Sequence, residues 1–270
     1  MRLYLNGRFI EERLAKVSVF DRSFLYGDGI FETLRAYSGK VFKEEEHLNR
    51  LRRSAEIIYL SLPEIDYSRI FQKLLKCNNL SDALIRLTIS RGEGWGIEPS
   101  GIPNIVMFAK NFSGLPEEMY EKGISAVVVE RRRPKTAIKS TNYLEAILAK
   151  IEAKGREAIM LSGDGFVAGA VTSNIFMVKD QRLITPPLSL GILPGITRET
   201  VLTIAKPLSI KAEEQVFRKE ELYSADEVFL TSTSYEIMPI TEIDGSKIGR
   251  GVPGVVTKTL IWEFKKVSLA

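Results

Sequence analysis

Apolar and polar residues alternate over several short stretches of this chain, and apolar residues recur at helical spacing over a few longer ones. A period of two is typical of a strand with one buried face, and a period near 3.6 is typical of an amphipathic helix. These patterns predict strands at residues 3–5, 8–11, 83–90, 105–110, 124–131, 158–161 and 228–231. They predict helices at residues 44–60, 67–76, 142–153 and 197–206.

The predicted helix at 142–153 follows two hydroxyl residues, Ser140 and Thr141, that are suited to cap its amino end. The larger apolar residues of this helix share one side, which we expect to be buried. They are Leu144, Ile147, Leu148 and Ile151.

A stretch rich in turn-forming residues, Asn111 to Pro116, divides the chain into two parts. We therefore expect a small amino-terminal α/β domain at residues 1–115 and a larger carboxy-terminal domain at residues 116–270. Both parts are rich in strands, and their strands do not alternate with helices as regularly as in a doubly wound fold. The predicted fold class is mixed α/β (α+β), with helices packed on mixed sheets.

The composition is that of an ordinary globular protein, with 44% hydrophobic and 27% charged residues. The sequence has no run of about 18 apolar residues and no secretory signal pattern at its start, so we expect a cytoplasmic protein without a membrane span. The net charge of +4 comes from interspersed charges of both signs, which gives no indication of nucleic-acid binding.

Cysteine and histidine each occur once, as Cys77 and His47. A disulfide within the chain is therefore excluded, and a zinc site built on histidine and cysteine ligands is not expected. Catalysis by a serine or cysteine nucleophile would have only His47 as its histidine base. The candidate chemistry is left to lysine, carboxylates, tyrosine or a bound cofactor.

Lys139 is a candidate nucleophile because it lies where a predicted strand leads into a predicted helix. A lysine fixed at such a junction can be desolvated, and desolvation lowers the pKa of an amine toward its neutral form. A neutral lysine amine can form a Schiff base with a carbonyl group. The alternative interpretation of the same pattern is a solvated ammonium group on the surface.

Residues 191–199 place glycines and Thr197 at the start of a predicted helix. The unpaired N–H groups at a helix amino end suit a phosphate, although the same pattern also fits an ordinary threonine cap. Hydroxyl residues at 231–234 could complete such a site, with Arg50 as the counter-charge. The sequence has no Gly-x-x-x-x-Gly-Lys-Ser/Thr loop, and no Gly-x-Gly-x-x-Gly motif follows a predicted strand, so it gives no support for a nucleoside triphosphate or a dinucleotide as ligand.

Taken together, these segments resemble the class IV (fold type IV) pyridoxal-phosphate enzymes, which include branched-chain aminotransferases, D-amino acid aminotransferases and aminodeoxychorismate lyases. The resemblance covers nearly the whole chain and is carried by motifs at residues 26–32, 46–51, 138–140, 142–144, 172–176, 193–198 and 236–239. It implies a two-domain enzyme of fold type IV that forms a homodimer and uses pyridoxal phosphate. The implied reaction moves an amino group between an amino acid and a 2-oxo acid.

The resemblance also implies roles for individual residues. The cofactor would be held by Arg50, Lys139, Tyr143, Ile196, Thr197 and Thr233. Within this set Lys139 would form the Schiff base and act as the catalytic base, Tyr143 would bind the phenolate oxygen, and the other four would bind the phosphate. Phe31 and Arg86 would lie on the substrate side.

Gly169 stands where the family has a glutamate, five residues before Asn174. In the family this carboxylate pairs with the pyridine nitrogen and keeps it protonated, which helps the ring to accept negative charge. We therefore expect transamination to be slow, or another group, such as water or Asp164, to take the place of the glutamate.

Two alternatives to an aminotransferase stay open. The motif around Lys139 resembles the lyases and D-amino acid enzymes, whereas Arg86 matches a substrate-side arginine of the branched-chain group. The first alternative is an aminodeoxychorismate lyase, which eliminates pyruvate and leaves 4-aminobenzoate. The second is a catalytically weak relic that only binds pyridoxal phosphate, which Gly169 makes credible.

Overall fold

The computed structural model describes residues 1–99, 101–132 and 137–269. Its helices are α1 (Arg22–Tyr26), α2 (Glu44–Ile57), α3 (Tyr67–Cys77), α4 (Glu117–Lys122), α5 (Leu144–Glu152), α6 (Ile196–Ala205), α7 (Lys219–Tyr223) and α8 (Val255–Leu269). Its strands are β1 (Arg2–Leu5), β2 (Arg8–Glu11), β3 (Gly29–Tyr37), β4 (Lys40–Val41), β5 (Ala83–Ser90), β6 (Asn104–Asn111), β7 (Ile124–Arg132), β8 (Glu157–Leu161), β9 (Val167–Ala170), β10 (Asn174–Lys179), β11 (Arg182–Thr185), β12 (Lys211–Glu214), β13 (Glu227–Ser232), β14 (Glu236–Ile243) and β15 (Ser246–Lys247). No helix in these described ranges has the length and apolar character needed to cross a membrane.

The chain divides into two compact units. The first contains Met1–Ser113 together with Ile138–Tyr143, and the second contains Gly114–Ala137 together with Leu144–Ala270. The short segment that carries Lys139 therefore belongs to the first unit, whereas the division expected at residue 115 assigns it to the second part. The two domains at 1–115 and 116–270 stay a prediction.

The first unit is built on a six-stranded antiparallel sheet in the order β2-β1-β6-β5-β3-β4. Helices α2 and α3 pack their apolar residues onto one face of this sheet. Alternation along β5 shows the division clearly, because Ile85 and Leu87 are fully buried while Leu84 and Arg86 are half-buried on the opposite face. The second face of β3 and β5 is thus available to carry polar groups.

The second unit is built on a mixed sheet in the order β12-β11-β10-β13-β14-β7-β8-β9, with β15 paired to β14. The pairs β11–β12, β14–β7 and β7–β8 are parallel, and the remaining pairs are antiparallel. The predicted mixed, strand-rich fold class is confirmed. The predicted helices at 44–60, 67–76 and 197–206 are confirmed as α2, α3 and α6, with ends shifted by a few residues.

The prediction about the buried side of α5 is wrong. Leu144, Ile147 and Ile151 are 60%, 54% and 67% exposed, whereas Ala149 and Ala153 are fully buried. The small alanines allow the helix to lie close to β7 and β8, so the larger apolar side chains point away from this contact. An apolar stripe identifies an amphipathic helix, but it does not identify the surface that covers the stripe.

The predicted cap of this helix is wrong as well. Helix α5 begins at Leu144, so Ser140 and Thr141 lie too early in the chain to occupy the capping position. The Thr141 hydroxyl instead donates a hydrogen bond of 2.8 Å to the carbonyl oxygen of Gly27.

Candidate active site

The segment around Lys139 is attached to the start of β3 by backbone hydrogen bonds. The Phe31 amide donates to the Lys139 carbonyl oxygen at 2.8 Å, and the Thr141 amide donates to the Gly29 carbonyl oxygen at 2.9 Å. Ile30 and Ser140 form an antiparallel bridge between these two bonds. The main chain of Lys139 is therefore held in register with β3, whatever its side chain does.

The two glycines of the motif at 26–32 make this close attachment possible. A Cβ atom at Gly29 would lie 2.9 Å from the Ile89 carbonyl oxygen and 3.2 Å from the Thr141 hydroxyl. Gly27 ends α1 in the left-handed conformation, at φ 68°, and a Cβ atom there would lie 3.1 Å from the Cα of Asn142. A larger residue at either position would push the lysine segment away from β3.

Four of the predicted site residues meet around the Phe31 ring in the first unit. The half-buried Lys139 places its Nζ 4.8 Å from the ring centroid, and the Arg86 guanidinium carbon lies 3.3 Å from the same centroid. The Tyr143 ring packs edge-to-face against Phe31 at 5.3 Å. Lysine, arginine and tyrosine thus pack against one aromatic ring.

Arg86 is a cation with no carboxylate partner among the described residues; its Nε donates to the Thr88 hydroxyl at 3.1 Å. Burial lowers the pKa of Arg86 to about 10, although Tyr143 and Glu32 act in the opposite direction. It lines a cavity of about 630 Å³ on the open face of the sheet. The residues that line this cavity are Thr33, Leu84, Arg86, Thr88, Phe108, Lys110, Asn111 and Phe112.

This cavity holds two cationic side chains, Arg86 and Lys110, and none of the described residues that line it is acidic. Apolar walls lower the local dielectric, which strengthens the attraction between these cations and an anion. The cavity is therefore suited to a small molecule that carries a carboxylate.

A buried ion pair lies on the opposite face of β3, under α2. The Arg50 guanidinium donates to both oxygens of Glu32, from Nε to Oε1 and from Nη2 to Oε2, each at 2.8 Å. His47 Nδ1 lies 2.8 Å from Glu32 Oε2. The side chains of Glu32, His47 and Arg50 are 1%, 2% and 4% exposed, so this pair is removed from water.

The charges of this cluster are fixed by its surroundings. Burial alone would raise the pKa of Glu32, but Arg50 and His47 lower it to about 2. Burial lowers the pKa of His47 more than Glu32 raises it, so the imidazole stays neutral and donates to the carboxylate. The planar fork of Arg50 is consequently held in one orientation by a permanent carboxylate.

Arg50 was predicted from the sequence as a site residue, but its pairing with Glu32 and His47 was not predicted. A signal was present: Glu32 faces the same side of β3 as the buried Ile30 and Leu34, and a carboxylate is buried only with a partner. His47 and Arg50 are three residues apart on α2, so they share one helix face.

The amino end of α6 forms a tight corner in the second unit. Gly195 precedes the helix, and a Cβ atom there would lie 2.0 Å from Oδ1 of Asn174. The Asn174 side chain donates to the Leu193 carbonyl oxygen at 3.0 Å and so holds the approach to the helix. A side chain at this position would displace the Asn174 side chain, so glycine suits this corner, which directly precedes the first turn of α6.

Several hydroxyl groups lie beside this corner. Asn174 pairs with Thr231 across β10 and β13, and Thr197 on α6 is buried. The hydroxyls of Thr231 and Ser173 are buried and, among the described residues, make no hydrogen bond. Buried polar atoms of this kind indicate a missing partner, and a phosphate that accepts several hydrogen bonds would supply one. The observed residues therefore fit a phosphate-bearing ligand.

Thr233 is half-buried in the turn between β13 and β14, two residues beyond Thr231. Ile196 is the first residue of α6. The predicted phosphate residues of the second unit thus belong to the helix end and to the turn. Arg50, the fourth predicted phosphate residue, belongs to the first unit.

Gly169 lies in β9, paired with Met160 of β8, and adopts φ 131°. This is a backbone conformation that residues with a side chain rarely adopt. Asp164, the suggested substitute for the family glutamate, is exposed in the turn between β8 and β9. A carboxylate at Gly169 itself is absent, as the sequence states.

Comparison with known proteins places this arrangement in a family. The model of the amino-transferase class IV family matches residues 29–243. A D-alanine aminotransferase of Staphylococcus epidermidis is 39% identical over 275 residues, which cover 98% of this chain and 97% of the relative.

Two solved structures are similar over nearly the whole chain. The Escherichia coli branched-chain amino acid aminotransferase has a TM-score of 0.92 and 34% identity, covering 98% of this chain and 93% of its own. A T.th. branched-chain amino acid aminotransferase, solved with pyridoxamine 5′-phosphate, has a TM-score of 0.92 and 29% identity, covering 99% and 94%. These likenesses confirm the predicted fold type IV and the predicted transaminase class. The chain belongs to the class IV aminotransferase family.

Proposed function

We propose that this protein transfers an amino group between an amino acid and a 2-oxo acid, with pyridoxal phosphate bound covalently at Lys139. The observation that carries the proposal is the placement of the Lys139 amine over Phe31, beside Tyr143 and Arg86. When bound, pyridoxal phosphate supplies a conjugated ring that takes up negative charge as the substrate loses its α-proton. A pyridoxamine phosphate complex of a relative with the same fold supports this cofactor.

Lys139 has two tasks in this proposal. Its amine would bind the cofactor covalently through the aldehyde. Once the amino acid has taken its place there, the same amine would be the base that takes and returns the proton of the substrate. The backbone bonds to β3 keep the amine in reach for both tasks.

The other predicted cofactor residues would bind pyridoxal phosphate and orient it. The resemblance assigns the phosphate to Arg50, to the backbone of Ile196, and to the hydroxyls of Thr197 and Thr233. The fork of Arg50 is orientated by Glu32, and the corner at Gly195 directly precedes the first N–H groups of α6. Tyr143 would donate its hydroxyl to the phenolate oxygen of the ring, with its own ring fixed against Phe31.

Arg86 and Lys110 would bind the substrate. A carboxylate of the amino acid or oxo acid would neutralise these two cations, whose cavity is lined by no acidic residue in the part of the chain that the structure describes. Aminodeoxychorismate also carries carboxylates, so this cavity fits the lyase as well as the transaminase. Only a measurement of the products can distinguish a lyase from a transaminase.

A panel of L- and D-amino acids added to the cofactor-loaded protein tests the function. We expect the yellow absorption band to be bleached by at least one amino acid and restored by a 2-oxo acid. Release of pyruvate and 4-aminobenzoate from aminodeoxychorismate, without any oxo acid acceptor, would favour the lyase. A band that no substrate changes would favour the catalytically weak relic.

The variant Gly169→Glu tests whether the missing carboxylate limits the rate. We expect the half-reaction to accelerate roughly tenfold or more, because a fixed charge would stabilise the protonated ring nitrogen. The unusual φ of Gly169 makes any side chain here costly, by about 1–3 kcal/mol of folding stability.

Gly169→Gln is the matched control, since it carries the same strain and nearly the same shape without the charge. Stopped-flow absorption at the cofactor band measures both variants. Equal rates for the glutamate and glutamine variants would show that the carboxylate is not what the wild-type protein lacks.

We also propose that the protein is a homodimer. Exposed apolar side chains support this assembly in each unit: Phe24, Trp95 and Ile97 in the first, and Leu144, Ile147 and Ile151 in the second. The loop that carries Trp95 is well fixed, because Arg22 donates to the carbonyl oxygens of Gly96 and Ile97. Light scattering should give about twice the chain mass of 30.3 kDa. A cytoplasmic location stays a prediction from the sequence.

A further inference from the structure

Glu157 is a buried carboxylate of the second unit. It is the first residue of β8, and its side chain is 2% exposed. Its Oε2 accepts from the Tyr235 hydroxyl at 2.8 Å and from Lys150 Nζ at 3.0 Å. Its Oε1 accepts from the Ala158 amide at 3.2 Å. Glu157 thus joins helix α5, strand β8 and the residue just before β14.

Tyr235 is held at three separate atoms. Its hydroxyl donates to Glu157, its amide donates to the Ser232 hydroxyl at 3.1 Å, and its carbonyl oxygen accepts from the Tyr120 hydroxyl at 3.1 Å. Burial raises the pKa of Tyr235, and the adjacent Glu157 charge raises it further. The phenol therefore stays protonated and remains a donor to the carboxylate.

The turn from β13 to β14 consists of Thr233, Ser234 and Tyr235. It begins beside the buried Thr231, whose hydroxyl makes no hydrogen bond among the described residues, and it contains Thr233. The next residue, Glu236, has a φ of 54°, which is unusual for a residue with a side chain. A turn with this strain keeps its shape only if other contacts fix it, and Tyr235 supplies such contacts.

We infer that Glu157 and Tyr235 are positioning residues that fix the turn at 233–235, and with it Thr233, for the phosphate of the cofactor. The inference rests on the proposed function, in which Thr233 binds that phosphate. Neither residue has to touch the cofactor. A hydrogen bond to a buried charge is among the stronger kinds, so the turn should lose its preferred shape when the bond is removed.

The variant Tyr235→Phe removes a single oxygen atom and tests this inference. We expect its dissociation constant for pyridoxal phosphate to rise roughly tenfold or more. The dissociation constant for inorganic phosphate with the cofactor-free protein should rise by a similar factor. The affinity for pyridoxal, which has the aldehyde but no phosphate, should stay within about twofold of the wild-type value.

Two further variants complete the experiment. Tyr223→Phe is the matched control, because Tyr223 also donates to a carboxylate, Asp244, at 2.7 Å, but lies outside this turn. It should leave all three dissociation constants unchanged. Glu157→Gln keeps an oxygen that can accept from Tyr235, so its loss of affinity should be smaller than that of Tyr235→Phe.

Equal losses for pyridoxal phosphate and pyridoxal in Tyr235→Phe would overturn the inference, since they would indicate a general structural effect. Unchanged affinities in this variant would overturn it too. A wild-type protein that does not bind pyridoxal phosphate at all would overturn the proposed function itself. The titration of the wild-type protein therefore separates the two failures.

Discussion

Lys139→Ala should lower the transamination rate by roughly 10³-fold or more, because the protein would lose both its covalent link to the cofactor and its proton carrier. The yellow band of the wild-type protein should be replaced by the spectrum of loosely bound cofactor. Borohydride reduction followed by peptide mass spectrometry should find the cofactor on Lys139 in the wild-type protein and on no peptide of the variant.

Two control variants test whether the loss of activity comes from removing the Lys139 amine and not merely from removing a positive charge. Lys139→Arg keeps a cation over Phe31, yet an arginine is not deprotonated in proteins and so cannot replace the amine. It should be as inactive as the alanine variant. Lys122→Ala removes an exposed lysine of α4 and should leave rate and spectrum unchanged. Retention of activity in Lys139→Arg would contradict the assigned role.

Glu32→Ala should destabilise the first unit by about 3–5 kcal/mol, because the buried guanidinium of Arg50 would lose the carboxylate that it binds through two hydrogen bonds. The loss of orientation at Arg50 should also weaken binding of pyridoxal phosphate. Chemical denaturation measures the first effect, and titration of the cofactor measures the second. Glu46→Ala, which breaks an exposed ion pair with Lys43 at the start of the same helix, should change stability by less than about 1 kcal/mol.

Glu32 also makes the folding stability depend on pH. Glu32 has a folded pKa of about 2, below its ordinary value of 4.5, so its contribution to stability is complete above pH 4.5. The contribution falls as the pH drops from 4.5 toward 2, by on the order of 3 kcal/mol in total. Glu32→Gln should reduce the loss of folding stability between pH 4.5 and pH 2. A loss as large as that of the wild-type protein would show that Glu32 is not the group that titrates.

The sequence was most informative where local chemistry decides the structure. The segment at Lys139 and the motif at residues 26–32 could be recognised from their own residues, whereas the contacts that require glycine at 27 and 29 come from Asn142 and Ile89, far along the chain. The corner at Gly195 and Thr197 is equally local, because a helix end exposes its N–H groups in any context. These features were therefore predictable as pieces.

The residues that contact these features are set by packing between elements far apart in the chain, which no short sequence pattern encodes. The carboxylates Glu32 and Glu157 gain their roles from residues 18 and 78 positions away in the chain. The exposed face of α5 depends on which side chains are small enough to approach β7 and β8. A periodic pattern identifies an apolar face of a helix but not the surface that covers it, which explains why the buried side of α5 was predicted wrongly.

The attachment of residues 139–141 to β3 uses main-chain atoms. Every residue except proline carries the donor and acceptor needed for such bonds. Neighbouring side chains can therefore diverge through evolution to suit new substrates, while the position of Lys139 in the fold stays the same.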